Sequence, residues 1–148
     1  MRVYLDNCCF NRPFDEQLNI RVKLETDAKL YVQSLIREER LELAWSYMLD
    51  YENNDNPQLE RKYIIQKWKS LSSIDTYETN NILIKADDFI KYGIKVKDAL
   101  HIACAIEMGC DVFLTTDDKI KNKSNRIKEI KILNPIEFIN TIEESWLQ

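Results

Sequence analysis

The stretch that decides the fold of this 148-residue chain is VKDALHIACAIEMGCDVFLTTDD, residues 96–118. Its first half is apolar on nearly every helical face, which is typical of a helix buried in the middle of a domain. Gly109 can adopt the left-handed conformation that ends such a helix. Val112–Leu114 then has the apolar, β-prone composition of a buried strand. Asp98 begins the helix and Asp117 follows the strand, so this core unit carries a candidate site acid on either side.

The rest of the chain alternates apolar strand segments with longer helical segments and contains no hairpin signal. Further strands are predicted at residues 3–5, 41–45 and 130–133. Residues 7–17 are expected to form a loop, because Pro13 is unsuited to a helix interior, and residues 72–76 a simple connection. This alternation predicts an α/β fold with a parallel sheet of four to five short strands and helices on both faces. The length favours a single domain, residues 1–148.

Charge and composition exclude several classes of function. The formal net charge of −4 gives no general attraction to nucleic acid, so a phosphate substrate would need a local basic surface or a bound cation. No run of about 18 apolar residues is present, and no membrane span is expected. The first residues lack the apolar core of a secretory signal, which predicts a cytoplasmic protein. The four cysteines include no Cys-x-x-Cys pair, which argues against zinc ribbons and redox motifs.

The candidate site residues are carboxylates, because other common catalytic constellations are missing. The chain has one histidine, His101, only two glycines and no Gly-x-Ser-x-Gly motif, which excludes a histidine pair, a glycine-rich phosphate loop and a hydrolase elbow. In open α/β sheets, ligands bind beyond the carboxyl ends of the strands, where Asp6 and Asp117 are expected. Asp98 should converge on the same rim. Glu52, at the end of the helix after the second strand, is a fourth candidate.

These carboxylates predict a divalent-metal site. Clustered carboxylates repel one another unless a cation neutralises them, and sites made only of oxygen ligands select Mg²⁺ or Mn²⁺ over Zn²⁺. The chemistry that follows is metal-assisted hydrolysis of a phosphodiester, in which the ion lowers the pKa of the attacking water. Asp6, Asp98 and Asp117 are the predicted metal ligands, and Glu52 is predicted to act with them in catalysis.

Three motifs together resemble the PIN-domain ribonucleases, similar to the VapC-type toxins of toxin–antitoxin pairs. They are VYLD with CCFNRPFD behind it (residues 3–6 and 8–15), KDALHIA (97–103) and FLTTD (113–117). The resemblance matches the family's acids to Asp6, Asp98 and Asp117, and its second acid to Glu52, with Asp50 and Asp55 as neighbouring alternatives. It implies a single PIN-like domain that acts as a divalent-metal endoribonuclease. Such proteins are often homodimers inhibited by a small antitoxin protein, and free-standing ones without a toxin role also exist.

Two other functions stay open at the level of sequence. A DNA-directed nuclease would use the same acids, since the metal site acts on phosphate and not on the 2′-hydroxyl. A PIN-like module that has lost cleavage would bind RNA or a partner protein through the same rim.

The remaining polar residues near these motifs have structural interpretations beside functional ones. His101 is expected to be a hydrogen-bonded core residue. Thr115 or Thr116 either ends its strand or holds a ligand carboxylate or a substrate phosphate. Arg12 is a candidate for RNA contact or for pairing with the rim acids. The basic segment after Asp117 is usually solvated surface, yet its position also suits contact with RNA phosphates; it comprises Lys119, Lys121, Lys123, Arg126, Lys128 and Lys131.

Overall fold

The architecture is one parallel sheet of five strands, seen in a computed structural model that describes residues 1–146. The strands are β1 (Arg2–Leu5), β2 (Glu42–Ser46), β3 (Ile74–Thr76), β4 (Val112–Leu114) and β5 (Lys131–Leu133). Their order across the sheet is β3-β2-β1-β4-β5, and every neighbouring pair is parallel. The predicted α/β fold with a parallel sheet is therefore confirmed.

Within residues 1–146, eight α-helices connect these strands. They are α1 (Asn7–Asn11), α2 (Ile20–Arg37), α3 (Tyr47–Asn54), α4 (Leu59–Lys67), α5 (Asn80–Lys91), α6 (Val96–Glu107), α7 (Asp118–Lys123) and α8 (Pro135–Trp146). Two 3-10 turns, Arg12–Phe14 and Trp68–Leu71, extend α1 and α4. Every helix in this part of the chain is too short or too polar to cross a lipid bilayer.

The direction in which successive strands are added to the sheet changes after β3. From β1 the chain adds β2 and then β3 on one side, and it later adds β4 and β5 on the other side. Because crossovers between parallel strands are nearly always right-handed, crossovers in opposite directions place helices on both faces of the sheet. The reversal falls between β1 and β4. In open α/β sheets, the crevice at this switch point, beyond the carboxyl ends of the strands, is where ligands bind.

The core is centred on β1 and α6. Val3, Tyr4 and Leu5 are completely buried in β1, as expected for a strand with neighbours on both sides and helices on both faces. Most of α6 from Ala99 onward is also buried, which confirms the prediction of a central helix. The chain leaves α6 through Gly109, whose φ of +69° is a conformation that L side chains rarely adopt.

The prediction of a loop over residues 7–17 is wrong in its first half. Asp6 accepts a hydrogen bond from the backbone N–H of Asn7 and caps α1, which buries Cys9 and Phe10. Pro13 then occupies the first turn of a 3-10 helix, where its missing N–H costs no hydrogen bond. A five-residue helix is too short to show a helical period in the sequence, so Pro13 is the stronger local signal.

The prediction of a plain connection over residues 72–76 is also wrong, because Ile74–Thr76 forms β3 at the edge of the sheet. It pairs only with β2, and its three residues are half-buried or exposed. A three-residue edge strand with one apolar side chain has no period-2 pattern long enough to identify.

Candidate functional site

Two of the predicted site acids lie where β1 and β4 end side by side. The last residues of these strands, Leu5 and Leu114, are paired in register. Asp6 follows Leu5 directly, and Asp117 lies three residues beyond Leu114. Both acids therefore occupy the rim at the switch point of the sheet, as the sequence predicted.

Asp6 is buried and firmly held. Its Oδ1 accepts a hydrogen bond from the N–H of Asn7 at 2.8 Å, and its Oδ2 accepts bonds from Thr115 Oγ1 at 3.0 Å and Cys8 Sγ at 3.3 Å. The completely buried Thr115 also accepts the N–H of Asp117 on Oγ1 at 3.1 Å. Thr115 thus ties the two rim acids together, which is the carboxylate-holding role that the sequence allowed.

Asp117 has a structural role at the start of α7. Its Oδ1 accepts the N–H of Lys119 at 2.9 Å and caps α7. The neighbouring Asp118 is exposed and forms two 2.7 Å hydrogen bonds with the guanidinium of Arg21. The structure therefore separates the two acids, and only Asp117 lines the cleft described below.

Asp98 lies in the first turn of α6 and is the least satisfied of the four acids. Among residues 1–146, its carboxylate has no hydrogen bond and no ion pair. Burial raises the pKa of Asp98 to about 6, and the negative charges of Asp6, Asp117 and Glu52 add to this rise, against a smaller opposing effect of His101. The negative charges of Asp6, Asp117 and Glu52 are therefore close enough to Asp98 to act on its pKa.

Glu52 is brought to this rim by α3 and is paired with the one histidine. Its Oε1 lies 2.5 Å from Nε2 of the completely buried His101. Burial alone would raise the pKa of Glu52, but the hydrogen bond and charge of His101, with the nearby Lys97 and Asn7, lower it below its ordinary value. Asp50, an alternative for this position, instead bonds to Trp45 and Lys69.

A chain of hydrogen bonds fixes the orientation of His101. Nδ1 lies 2.5 Å from the hydroxyl of Tyr4, which lies 2.6 Å from Oγ of Ser46. Burial lowers the pKa of His101, but the hydrogen bond to Glu52 and the charges of Asp6, Glu52 and Asp98 outweigh it, so the pKa is raised overall. The expectation of a hydrogen-bonded core histidine is confirmed. Tyr4 and Ser46 were not predicted to belong to the site.

A small cleft lies between Asp98 and Asp117, with a volume of about 20 Å³. A cavity needs roughly 10–15 Å³ to hold a water molecule, so the cleft has room for one water-sized occupant. Lys95, Lys119 and Lys123 stand around it.

The other basic candidates have different neighbours. Lys121 is paired with Glu137, and Arg12 is paired with Asp15 and Glu25. The suggestion that Arg12 pairs with the rim acids is therefore wrong, because its guanidinium binds Asp15 and Glu25, and Glu25 lies in α2.

The donor set suits a hard divalent cation, although a complete coordination sphere is not preformed. Within residues 1–146, no three Asp, Glu, His or Cys side chains stand in an arrangement that would hold a metal ion directly. Mg²⁺ commonly keeps several of its waters and binds through only one or two carboxylates, so direct contact with three is not required. Burial and the neighbouring negative charges raise the pKa of Asp98, and a nearby cation would oppose both effects.

Fold and site together define a class: a parallel α/β protein with a cluster of acids at the switch point of its sheet. The chain belongs to the PIN-domain family, because the profile of the PIN domain matches residues 3–125. A search among curated protein sequences finds no match.

Several solved structures share this fold. FitAcB from Neisseria gonorrhoeae is 17% identical with a TM-score of 0.58, and the match covers 90% of this chain and 97% of that chain. VapBC2 from Rickettsia felis, bound to a DNA fragment from their promoter, is 16% identical with a TM-score of 0.57, covering 90% and 98%. VapBC-1 from nontypeable Haemophilus influenzae is 15% identical with a TM-score of 0.56, covering 91% and 98%.

Proposed function

We propose that this protein is a divalent-metal-dependent endoribonuclease. Asp6, Asp98 and Asp117 hold Mg²⁺ or Mn²⁺, partly through water, and Glu52 completes the catalytic group. The observation that carries the proposal is the state of Asp98: burial first, and then the negative charges of Asp6, Asp117 and Glu52, raise its pKa to about 6. Membership of the PIN-domain family supports the same conclusion.

In this mechanism, the rim acids differ in what they contribute. A divalent ion bound there would supply a lowered pKa for the attacking water and charge neutralisation at the phosphate. Asp6 is already oriented by Thr115 and by the N–H of Asn7, so it offers a fixed anchor. Glu52 stays ionised because His101 donates to it, which suits a residue that orients water.

RNA is the proposed substrate, and the lysines around the cleft supply the contacts to its backbone. The cleft at Asp98 and Asp117 is surrounded by three lysines, Lys95, Lys119 and Lys123. A phosphate bound next to the two acids would therefore also lie near positively charged side chains. This local surface offsets the net charge of −4, which otherwise repels nucleic acid. Phosphate contacts of this kind position a strand without selecting its sequence.

We further propose that the protein works in the cytoplasm as a homodimer and is inhibited by a small antitoxin protein. The support is the shared fold with FitAcB and the VapBC structures, at identities of 15 to 17%. Co-expression of the chain with the product of a small upstream reading frame, followed by co-purification and size determination, tests both associations.

Cleavage of RNA by the purified protein, with Mg²⁺ or Mn²⁺ and with EDTA, tests the main proposal. Asp117→Asn should lower cleavage by at least ~10²-fold, since it removes a charged metal ligand. Asp118→Asn is the matched control, because its carboxylate is turned to Arg21, and it should stay within a few-fold of wild type. RNA binding without metal-dependent cleavage would favour the lapsed module, and cleavage confined to DNA the third candidate.

A further inference from the structure

A second pocket lies between α2 and α4, away from the four acids. It is bordered by α1 and by the 3-10 turn that follows it, and its volume is about 170 Å³. Aromatic and apolar side chains form most of its wall: Phe10, Pro13, Phe14, Ile64, Ile65 and Trp68. None of the four site acids borders it, so it is a separate feature of the molecule.

Three hydrogen-bond donors of α2 line the pocket, at intervals of four residues. Lys29 and Gln33 are only 4% and 2% exposed, and Arg37 stands over the ring of Trp68 at 4.6 Å. Within residues 1–146, the buried Nε2 of Gln33 has no acceptor. The ammonium of Lys29 forms no hydrogen bond or ion pair there and stands near two aromatic rings instead. The nearest favourable partners of the ammonium are the rings of Phe10 and Trp68, 5.6 and 6.0 Å from their centroids.

This arrangement is costly for the fold. Burying an ammonium without a carboxylate partner is strongly unfavourable, and an unpaired amide donor adds to the cost. Among residues 1–146, no Asp or Glu borders the pocket. Burial lowers the pKa of Lys29 to about 7, and the charge of Arg37 acts in the same direction, against an opposing effect of Cys9. The described part of the wall therefore offers donors and positive charge with no carboxylate to pair with them.

We propose that this pocket binds a carboxylate carried on a small aromatic group. Lys29 and Gln33 donate to the carboxylate oxygens, and Arg37 adds positive charge at the rim. The aromatic group packs against Trp68 and Phe14. A volume of 170 Å³ is well below the roughly 300–1,000 Å³ of pockets for drug-sized ligands, so the ligand is a small one.

Calorimetric titration of the 148-residue protein with benzoate tests this site, with benzamide as the neutral counterpart and inorganic phosphate as the anion without a ring. Benzoate should bind saturably, and the other two should bind at least about tenfold more weakly. The affinity for benzoate should fall about tenfold between pH 6 and pH 8, because a ligand that needs charged Lys29 finds only about a tenth of it at pH 8.

The charged and titratable groups that face Lys29 stay constant over this range. Arg37 remains protonated, and burial raises the pKa of the Cys9 thiol well above neutrality. The side chains that α4 and the Trp68–Leu71 turn present to the pocket are uncharged. The pH dependence therefore reports on Lys29 alone.

Lys29→Met should abolish benzoate binding and raise the melting temperature, because an apolar side chain of similar length replaces an unpaired buried charge. Lys23→Met, at an exposed position of the same helix, should change neither. Equal binding of benzamide or phosphate, unchanged binding by Lys29→Met, or a lower melting temperature for that variant would each overturn the proposal. Asp98→Asn should bind benzoate as wild type does, which makes this test independent of the proposed nuclease activity.

Discussion

Replacing Asp98 by asparagine should stabilise the metal-free protein while removing its activity. Burial and the charges of Asp6 and Asp117 raise the pKa of Asp98 from 3.8 to about 6. A carboxyl group whose pKa is higher in the folded than in the unfolded state binds its proton more tightly when folded. Its ionised form therefore destabilises the folded protein, fully at pH values above about 6 and not at all below about 3.8.

The size of this effect follows from the same pKa. The difference between 3.8 and about 6 corresponds to about 3 kcal/mol, at about 1.4 kcal/mol for each pKa unit. Asp98 is only half-buried, so solvent screening reduces this to about 1–2 kcal/mol. Loss of its favourable position at the positive end of α6, about 0.3–1 kcal/mol, opposes the gain. A net stabilisation of about 1 kcal/mol is expected for Asp98→Asn at pH 8 in EDTA.

Urea denaturation of wild type and variant between pH 4 and pH 8 measures this difference. In EDTA, the advantage of the variant should appear as the pH rises from about 4 to about 6 and then stay level. Adding Mg²⁺ or Mn²⁺ should reverse the order, because a ligand at 100 times its Kd stabilises the wild type by about 2.7 kcal/mol. A variant that is less stable than wild type at pH 8 in EDTA, or equally stabilised by the metal, would refute the reasoning.

Three further predictions concern the surroundings of the acids. Thr115→Val removes a hydrogen-bond donor from the buried carboxylate of Asp6. It should lower the free energy of unfolding by about 1–3 kcal/mol in urea denaturation and the cleavage rate by about 10–100-fold. Thr116→Val is the control and should change both quantities little, because the hydroxyl of Thr116 has no partner within residues 1–146. Tyr4→Phe should cost about 1–2 kcal/mol in the same assay, since it breaks the hydrogen bonds to Ser46 and His101. The double variant Lys119→Met, Lys123→Met should bind RNA more weakly, whatever the RNA sequence. In a plot of log affinity against log salt concentration, the slope should become shallower by about 1 for each RNA phosphate that the variant no longer neutralises.

The parts of the fold that the sequence predicted are those set by local pattern. An apolar strand followed by an acid marks both Asp6 and Asp117, and parallel strands place their carboxyl ends on one rim. The helix of residues 96–107 was recognisable because few of its faces are polar. Elements too short to show a period were missed, namely the five residues of α1 and the three of β3.

The hydrogen bonds that orient the acids were beyond sequence reasoning. Tyr4 and His101 are 97 residues apart, and their hydrogen bond depends on the register of β1 against α6. In the sequence, Tyr4 is one more β-prone residue in an apolar strand, and its hydroxyl gives no sign of a partner. The burial of Lys29 could not be predicted from the sequence either, since a lysine in an amphipathic helix is expected on the solvent-exposed side. Only packing shows that it is buried.

The unequal anchoring of the four acids bears on whether the site binds a cation. Asp6 is held by three donors, Glu52 by His101, and Asp117 by the cap of α7, so these carboxylates also serve the fold. Asp98 forms no hydrogen bond within residues 1–146. At neutral pH, the destabilisation caused by its ionised carboxylate exceeds the stabilisation that it gains at the positive end of α6. A structural role therefore does not explain this aspartate. In the proposed nuclease, a bound cation would account for it, because a carboxylate without a hydrogen-bonding partner in residues 1–146 would gain most from a nearby positive charge.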